Sequence, residues 1–432
     1  AWIARIKSSI RERRDLEFYG YLSHDEYQEL EKALAFIWHV RNRLHQLMGR
    51  KVDQLHLEHQ RKLATAMEID SREGYQPVEL LMGQLHEHME FVKQRHNLFL
   101  YELEQKKRLK RKNKQLKSTA IKGLKFNRGM LNFSAPQAIV KRPRLLLEIF
   151  LESAVKKAPL NAEARRLIKD LGHLVDADYR RDPENVRLFE KILAKPVQRF
   201  NVLGEMLNTG FLARFLPEFE AVINRIQFDQ YHLYPVGRHS LRTVRLLKKL
   251  GSREHADKDP LSYQVYREIK HRKRLLWAAL LHDVGKGTPE SGHAARGAEL
   301  AGKMLAERGY SASEVDTVVF LVNHHLLLAN TATRRDINDE ETAIFVATKV
   351  ASVERLKMLY LLTVADSMAT GPKAWNDWTA ALFRSLFLKA LKVLETGELA
   401  SGRAIKEIDA KKQAVIGTEI QATSRGEIES LF

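Results

Sequence analysis

The sequence predicts an all-α fold, and three observations support that prediction. Apolar residues recur at three- and four-residue spacing along most of the chain, the period of a helix that buries one face. No stretch alternates apolar and polar residues in the way that indicates a half-buried strand. The chain has 432 residues, 44% of them hydrophobic, which is enough for more than one helical domain.

Composition narrows the classes of site and partner. The chain has no cysteine, so any metal must bind to His, Asp or Glu. No apolar run approaches the length of a membrane span and no signal peptide precedes the first helix, so we expect a cytoplasmic protein with no membrane contact. The chain begins with Ala1 rather than Met, and we expect a piece of a longer protein.

The net charge of +18 would favour nucleic acid as a partner, but its distribution does not. Much of the excess lies in one run from Lys106 to Lys117 that has no interleaved aromatic residue. We interpret this run as a solvated helix face or a linker, and a site for an anionic partner as the second interpretation. Nucleic acid is therefore not the expected partner.

The helical pattern divides the chain into successive segments. Residues 1–117 are predicted to form a helical domain, with a buried stripe that includes Leu30, Trp38 and Leu44 and ends at Gly49. Glycines and prolines then interrupt the pattern, which predicts a linker at 118–143. A helical connecting subdomain is predicted at 144–195, a larger helical bundle at 196–400 and a charged lead-out at 401–432.

The stretch from Leu275 to Gly287, LLWAALLHDVGKG, carries the strongest functional signal. It predicts a buried helix with His282 and Asp283 side by side and Lys286 one turn later. A carboxylate and an imidazole in such an apolar helix cost free energy unless a partner compensates them. A divalent cation is one such partner, and a capping Asp beside a core His is the alternative interpretation.

Further histidines and aspartates recur in similar settings downstream and upstream. They are His239 at the opening of a predicted helix over Ser240 to Leu250, His293 before a helix over Ala294 to Arg308, His325 after a helix over Ala312 to Asn323, and Asp366 in an apolar helix over Val353 to Met368. This mixed nitrogen and oxygen set suits Mn²⁺, Fe²⁺, Mg²⁺ or Zn²⁺. Asp283 could bridge two ions, with His293 and His325 completing the second.

Such a site would lower the pKa of water and polarise a phosphoryl oxygen. Lys286, and also Arg334 and Arg335, could then hold phosphate oxygens. The residues alone therefore indicate metal-assisted phosphoryl chemistry.

The order His239, His282-Asp283, Asp366 resembles that of the HD-domain metal-dependent phosphohydrolases. The chain is more narrowly similar to the bifunctional uridylyltransferase/uridylyl-removing enzymes in its stretches FLPEF, QFDQYHLY, LLHDVGKG with GHAARGA, NHHLLLANTATRRDI, and LTVADSMAT with KAWNDW. The segment WHVRNRLHQLMGR resembles the helical region that follows that family's nucleotidyltransferase domain.

The resemblance implies metal-ligand roles and a reaction. The implied ligands are His239, His282, Asp283 and Asp366, with His293 and His325 as secondary ligands. From the residues themselves we expect Asp283 and Lys286 to be the catalytic residues. The implied cofactor is a divalent metal, Mg²⁺ or Mn²⁺ first, with Fe²⁺ or Zn²⁺ as alternatives. The implied reaction removes UMP from a tyrosine of the uridylylated PII signalling protein.

The chain departs from that family in two respects. The nucleotidyltransferase active site and the C-terminal ACT repeats are absent from this sequence, so we expect hydrolysis without UMP transfer. Pro235-Val236-Gly237-Arg238 stands where the family commonly has Thr-Val-Asp-Glu, which makes the surroundings of His239 less negative.

Two other functions remain open from the sequence. One is an HD hydrolase that acts on a free nucleotide such as a dNTP or (p)ppGpp. The other is a non-catalytic helical module that binds PII or nucleic acid, with structural histidines.

Overall fold

The computed structural model describes residues 11–71, 74–111, 119–127, 129–196, 201–226, 234–288 and 290–396. Nearly all of its regular structure is α-helical, which confirms the all-α prediction. None of the helices in these ranges is both long and apolar enough to cross a membrane. The predicted lead-out at 401–432 and residues 112–117 of the basic run lie outside the described residues.

The described part of the N-terminal domain contains four helices. They are α1 (Asp15–Phe18), α2 (His24–Met48), α3 (Leu57–Ala66) and α4 (Pro77–Arg111). Ser23 and Glu26 form a capping box at the start of α2, and Gly49, with a φ of 61°, ends it as predicted. Leu44 and Leu63 belong to a small separate core between these helices.

The buried stripe of α2 differs from the predicted one at Trp38. Leu30 and Leu44 are buried as expected, together with Ala33 and Val40. Trp38 is 52% exposed, and the guanidinium of Arg41 lies over its ring at 5.0 Å from the centroid. A surface tryptophan that packs against an arginine can occupy the same helical spacing as a core residue. Spacing alone therefore did not distinguish the two.

A β-hairpin lies within the range predicted to be a linker, and the expectation that the chain contains no strand is wrong there. Strands β1 (Leu124–Asn127) and β2 (Met130–Phe133) pair antiparallel with Leu124 opposite Phe133. All four residues of β2 are buried, so the strand has no alternation of apolar and polar positions that the sequence could display. The hairpin packs against the main core through Leu131 and Phe133.

Short helices connect the hairpin to the bundle. They are α5 (Pro136–Lys141), α6 (Leu145–Lys156), α7 (Ala162–Asp170), α8 (Ala177–Arg181), α9 (Pro183–Ala194), α10 (Val202–Asn208) and α11 (Phe211–Phe215), with 3₁₀ turns at Gly172–Leu174 and Pro217–Val222. Their apolar faces join one core with the bundle that follows. The predicted boundary near residue 195 stays a prediction.

The bundle consists of the helices after residue 235. They are α12 (Val236–Leu250), α13 (Arg253–Ala256), α14 (Pro260–Glu268), α15 (Arg272–Leu281), α16 (His293–Glu307), α17 (Ala312–Asn323), α18 (Leu327–Arg334), α19 (Glu340–Val350), α20 (Val353–Thr370) and α21 (Asp377–Thr396), with a 3₁₀ turn at Val284–Gly287. Helices α15 and α20 are buried on nearly all sides; α12 and α17 pack against both, and α16 packs against α17 and the 3₁₀ turn. This arrangement brings the candidate site residues of five helices to one place.

The N-terminal helices contact the segment that leads into α12. Arg225 donates to the carbonyl oxygen of Gly74 at 3.0 Å, and its guanidinium lies 4.0 Å from the centroid of the Tyr75 ring. Arg238, in the first turn of α12, pairs with Glu90 of α4 at 3.4 Å. Helices α4 and α12 are thereby joined directly.

Candidate metal centre

The first candidate ligand, His239, is positioned by the amphipathic helix α12. Leu241, Val244, Leu247 and Leu250 are buried as the spacing predicts. His239 lies on the buried side one turn from the N-terminus of the helix and is 2% exposed. An imidazole buried this deeply needs polar partners.

His282 and Asp283 lie where α15 ends, which corrects the predicted helix over Leu275 to Gly287. The α-helix ends at Leu281, and Val284–Gly287 forms a 3₁₀ turn. Asp283 has φ of −108° and ψ of 8°, outside regular helical geometry. In a continuous helix the two side chains would point about 100° apart. The turn instead brings Asp283 Oδ2 to 3.4 Å from His282 Nε2.

His239, His282 and Asp366 form one compact group of possible metal ligands. Asp366 Oδ1 lies 2.7 Å from His239 Nε2 and 3.4 Å from His282 Nε2. The two imidazole Nε2 atoms are 3.2 Å apart. Three helices, α12, α15 and α20, thus place three ligand atoms close enough to share one cation.

Asp283, His293 and His325 form a second group. Asp283 Oδ1 lies 3.6 Å from the Nε2 atoms of both histidines. His293 is the first residue of α16, and His325 follows the end of α17. The adjacent His324 turns elsewhere, with its ring stacked on Phe320 at 4.4 Å between centroids.

The carboxylate of Asp283 faces both groups, one oxygen to each. Oδ2 lies 3.8 Å from His239 Nε2 and Oδ1 faces His293 and His325. Buried Asp283 Oδ1 and His293 Nε2 have no hydrogen-bond partner among the described residues. Buried polar atoms are rarely left unsatisfied, so these two atoms fit a site for a cation that would bind them.

Backbone carbonyls fix the orientation of two of the imidazoles. His282 Nδ1 donates to Ala279 O at 3.0 Å, and His325 Nδ1 donates to Val322 O at 2.7 Å. In a neutral imidazole, a proton held on Nδ1 leaves the lone pair on Nε2, which is the atom that faces the cluster. This arrangement is typical of metal-ligating histidines.

The electrostatics of the cluster favour a positive charge at its centre. Burial lowers the pKa of His282, but the carboxylates of Asp283 and Asp366 outweigh it and raise that pKa to about 10. Burial also opposes ionisation of both aspartates, yet Lys286 beside Asp283 and His282 beside Asp366 hold their pKa values well below the usual range. The pKa of His325 falls to about 4, chiefly through burial, so its imidazole is neutral at pH 7.

The predicted phosphate-binding residues occupy different positions. Lys286 Nζ lies 2.9 Å from Asp283 Oδ2, at the edge of the cluster. Arg334 is exposed at the end of α18. The guanidinium of Arg335 lies 4.3 Å from the centroid of the Phe345 ring. The substrate role of all three residues stays a prediction.

Two glycines and an arginine support the site, and the sequence analysis did not single them out. A Cβ on Gly285 would lie 2.5 Å from the amide nitrogen of Gly297 and closer still to the carbonyl oxygen of His293. Arg296 donates to Gly285 O at 3.3 Å. The motif GHAARGA contains both Arg296 and Gly297, and it was the feature of the sequence that could have identified them.

Comparison with known families agrees with this geometry. Residues 236–359 match the family model described as HD domain. That range contains five of the six clustered residues, and Asp366 lies just beyond it. The fold and the histidine–aspartate cluster are those of an HD-domain protein.

The segments before the bundle identify the family more closely. Residues 1–100 match the model described as GlnD PII-uridylyltransferase, and residues 125–215 match the model described as uridylyltransferase GlnD third domain. The chain belongs to the GlnD uridylyltransferase family.

Individual relatives match most of this chain but only part of their own length. The bifunctional uridylyltransferase/uridylyl-removing enzyme of Ruegeria pomeroyi is 32% identical over 99% of this chain and 47% of that enzyme. The enzyme of the same name from Novosphingobium aromaticivorans is 34% identical over 96% of this chain and 46% of that enzyme. The chain therefore spans about half the length of the curated relatives it matches.

Proposed function

We propose that this chain is a metal-dependent phosphodiesterase that removes UMP from the uridylylated PII signalling protein. The observation that carries the proposal is the pair of adjacent ligand groups that Asp283 faces, one carboxylate oxygen to each, in an HD domain whose relatives are named uridylyl-removing enzymes. PII as the partner, UMP as the product and the cytoplasm as the location belong to this proposal.

We infer that His239, His282 and Asp366 hold one divalent ion and that His293 and His325 hold a second, with Asp283 between them. A divalent ion held by these residues would polarise a phosphoryl oxygen and would lower the pKa of bound water. Four imidazoles and two carboxylates favour Mn²⁺ or Fe²⁺ over Mg²⁺, which prefers oxygen ligands. Zn²⁺ is the further alternative.

Residues of the chain orient the proposed metal ligands and place positive charge where a phosphate oxygen would bind. The backbone-anchored rings of His282 and His325 hold their Nε2 atoms toward the centre with no rotation required. Lys286 lies at the edge of the cluster, where its ammonium group can pair with a phosphate oxygen as well as with Asp283. Arg334 and Arg335 are proposed to help hold the substrate from the C-terminal end of α18.

The proposed leaving group suits a site with few proton donors. A tyrosine oxygen has a pKa of about 10, so it leaves more readily than an alkoxide and needs less help from a general acid. Among the described residues of the cluster, Lys286 is the cationic donor at its edge.

Release of UMP from uridylylated PII by the purified chain tests the proposal. We expect hydrolysis with added Mn²⁺ and loss of hydrolysis in His325→Ala. The matched control is His324→Ala, because the neighbouring imidazole stacks on Phe320 instead of facing the cluster. Failure to release UMP with any of Mn²⁺, Fe²⁺, Mg²⁺ or Zn²⁺ would contradict the proposal.

The same assay separates the other two functions. Hydrolysis of dNTPs or (p)ppGpp in preference to uridylylated PII would favour the free-nucleotide hydrolase. Binding of PII without metal and without turnover would favour the non-catalytic module.

A further inference from the structure

A second concave site lies between the N-terminal helices and the bundle. It has a volume of about 1170 Å³ and is lined by residues of α4, α10 and α12, with contributions from the loop and short helix that follow α12. We call it the α4–α12 groove. Small-molecule sites usually measure about 300–1,000 Å³, so the groove has room for a ligand of nucleotide size.

The face of α12 in this groove is strongly basic. Arg238, Arg242, Arg245 and Lys249 line it, and at about 100° per residue they fall within about 60° of one another. His239 lies about 100° away from Arg238 on the same helix. One face of α12 therefore carries His239 into the metal centre, and another face lines the groove.

Two of the three carboxylates in the groove are already paired with cations. Glu90 pairs with Lys93 at 3.3 Å and with Arg238 at 3.4 Å, and Glu205 pairs with Arg165 at 2.5 Å. Eight basic side chains and three acidic ones line the groove in total. The third carboxylate, Glu254, is exposed. The acidic residues thus leave much of the positive charge uncompensated.

Several of the cations face the groove without an anionic partner. Arg245, Lys249 and Arg253 are exposed and form no ion pair within the part of the chain that the structure describes. Like charges three and four residues apart on a helix destabilise it by a few tenths of a kcal/mol per pair. A bound anion would relieve this repulsion.

We propose that the α4–α12 groove binds a small anion with linked phosphates, of the size of a nucleoside triphosphate. Guanidinium groups match phosphate oxygens in bidentate geometry, and Arg242, Arg245 and Arg253 offer three of them beside the Lys249 ammonium. The amides of Gln94 and Asn97 on α4 face the same groove and can bind the rest of the ligand. Because both α4 and α12 line the groove, the ligand would join the N-terminal helices to the helix that carries His239.

Calorimetric titration of the whole chain with ATP, UTP and inorganic triphosphate tests this site. EDTA is present throughout, so that no metal ion at the HD centre recruits the phosphates. We expect saturable binding of one equivalent that weakens as salt is added. The double variant Arg245→Gln/Lys249→Gln should weaken binding by about tenfold or more.

The control Lys303→Gln/Lys392→Gln removes two exposed positive charges elsewhere in the bundle and should bind as the parent does. Equal weakening in the control would mean that the net charge of the chain attracts the anion, and would overturn the site. An affinity of Arg245→Gln/Lys249→Gln equal to that of the parent would also overturn the site.

A 20-nucleotide single strand distinguishes nucleic acid from a small anion. If the strand binds the groove and excess triphosphate does not displace it, nucleic-acid binding replaces the proposal. Since no turnover is measured, the result is independent of the proposed hydrolysis.

Discussion

At the scale of single residues, Asp283 is the side chain on which the candidate centre depends. It is buried, ionised and directed at both ligand groups, with Lys286 beside one oxygen and no hydrogen-bond partner described for the other. An aspartate in this position is costly without cations around it. The sequence indicated that cost through the apolar run before His282, but not the two-sided orientation, which arises from the turn after Leu281.

We predict that Asp283→Ala loses bound metal and hydrolysis together. Each ligand group loses the carboxylate oxygen that faces it, so hydrolysis should fall by at least about a hundredfold. Metal content after dialysis and UMP release are the measurements, and His324→Ala is the control that should retain both. An Asp283→Ala chain with parent turnover and parent metal content would show that the site lies elsewhere.

Lys248 provides a prediction that does not involve the metal centre. Burial lowers the pKa of this lysine to about 8, and its ammonium group donates to Leu193 O at 3.1 Å. In the unfolded chain the lysine keeps its proton up to its usual pKa of 10.5. The parent is therefore destabilised by the buried charge below pH 8, and that penalty disappears as the pH rises from 8 to 10.5.

We predict that Lys248→Met is more stable than the parent at pH 7, by about 1–3 kcal/mol. The advantage should shrink as the pH rises from 8 toward 10.5, because the folded parent then holds the lysine neutral while the unfolded chain still binds the proton. Thermal unfolding of both chains at pH 7 and pH 10 measures this. A difference in Tm that does not change with pH would contradict the explanation.

At the scale of elements, the sequence predicted the helices that carry the site better than it predicted their ends. The predicted range Ala312 to Asn323 agrees with the structure, because a capping box from Ser311 to Glu314 marks the start of the helix. The end of α15 was misplaced, because the apolar run continues to Val284 after the backbone has left the helix. The hairpin at 124–133 was missed because each strand has only four residues and β2 is buried at every position, so neither shows a clear period.

We predict that Gly285→Ala destabilises both the fold and the second ligand group. The added Cβ would overlap the backbone at His293 and Gly297, so the start of α16 must move. Overpacking of this kind costs about 1–3 kcal/mol. Thermal unfolding and metal content are the measurements. We expect Gly302→Ala, in the middle of the same helix, to cost less, because its added Cβ would meet only valine side chains.

At the scale of the whole molecule, the structure joins the N-terminal helices to the bundle at the residues where the sequence departs from the family pattern. Gly237 packs so closely that a Cβ would lie 2.8 Å from the Cα of Ile223, and Arg238 donates to Asn208 at 2.9 Å as well as pairing with Glu90. The sequence predicted only a loss of negative charge at these positions. The contact with α4 depends on residues about 150 positions apart in the chain, and no local pattern reveals such a pairing.

We predict that the basic run is dispensable for hydrolysis. Neutralising Lys110, Arg111 and Lys112 should leave turnover of a nitrophenyl ester of UMP nearly unchanged, because we interpret the run as a solvated helix face or linker. The parent chain at several salt concentrations is the reference. A large loss in the variant would mean that the run reaches the active site.

The number of metal ions bound by one chain tests the central claim most directly. The metal-free chain is titrated with Mn²⁺, and bound metal and UMP release are followed together. The two groups that share Asp283 predict two equivalents at full activity, and they predict that His325→Ala loses the second. One equivalent that restores full activity, with His325→Ala unaffected, would contradict the two-ion centre.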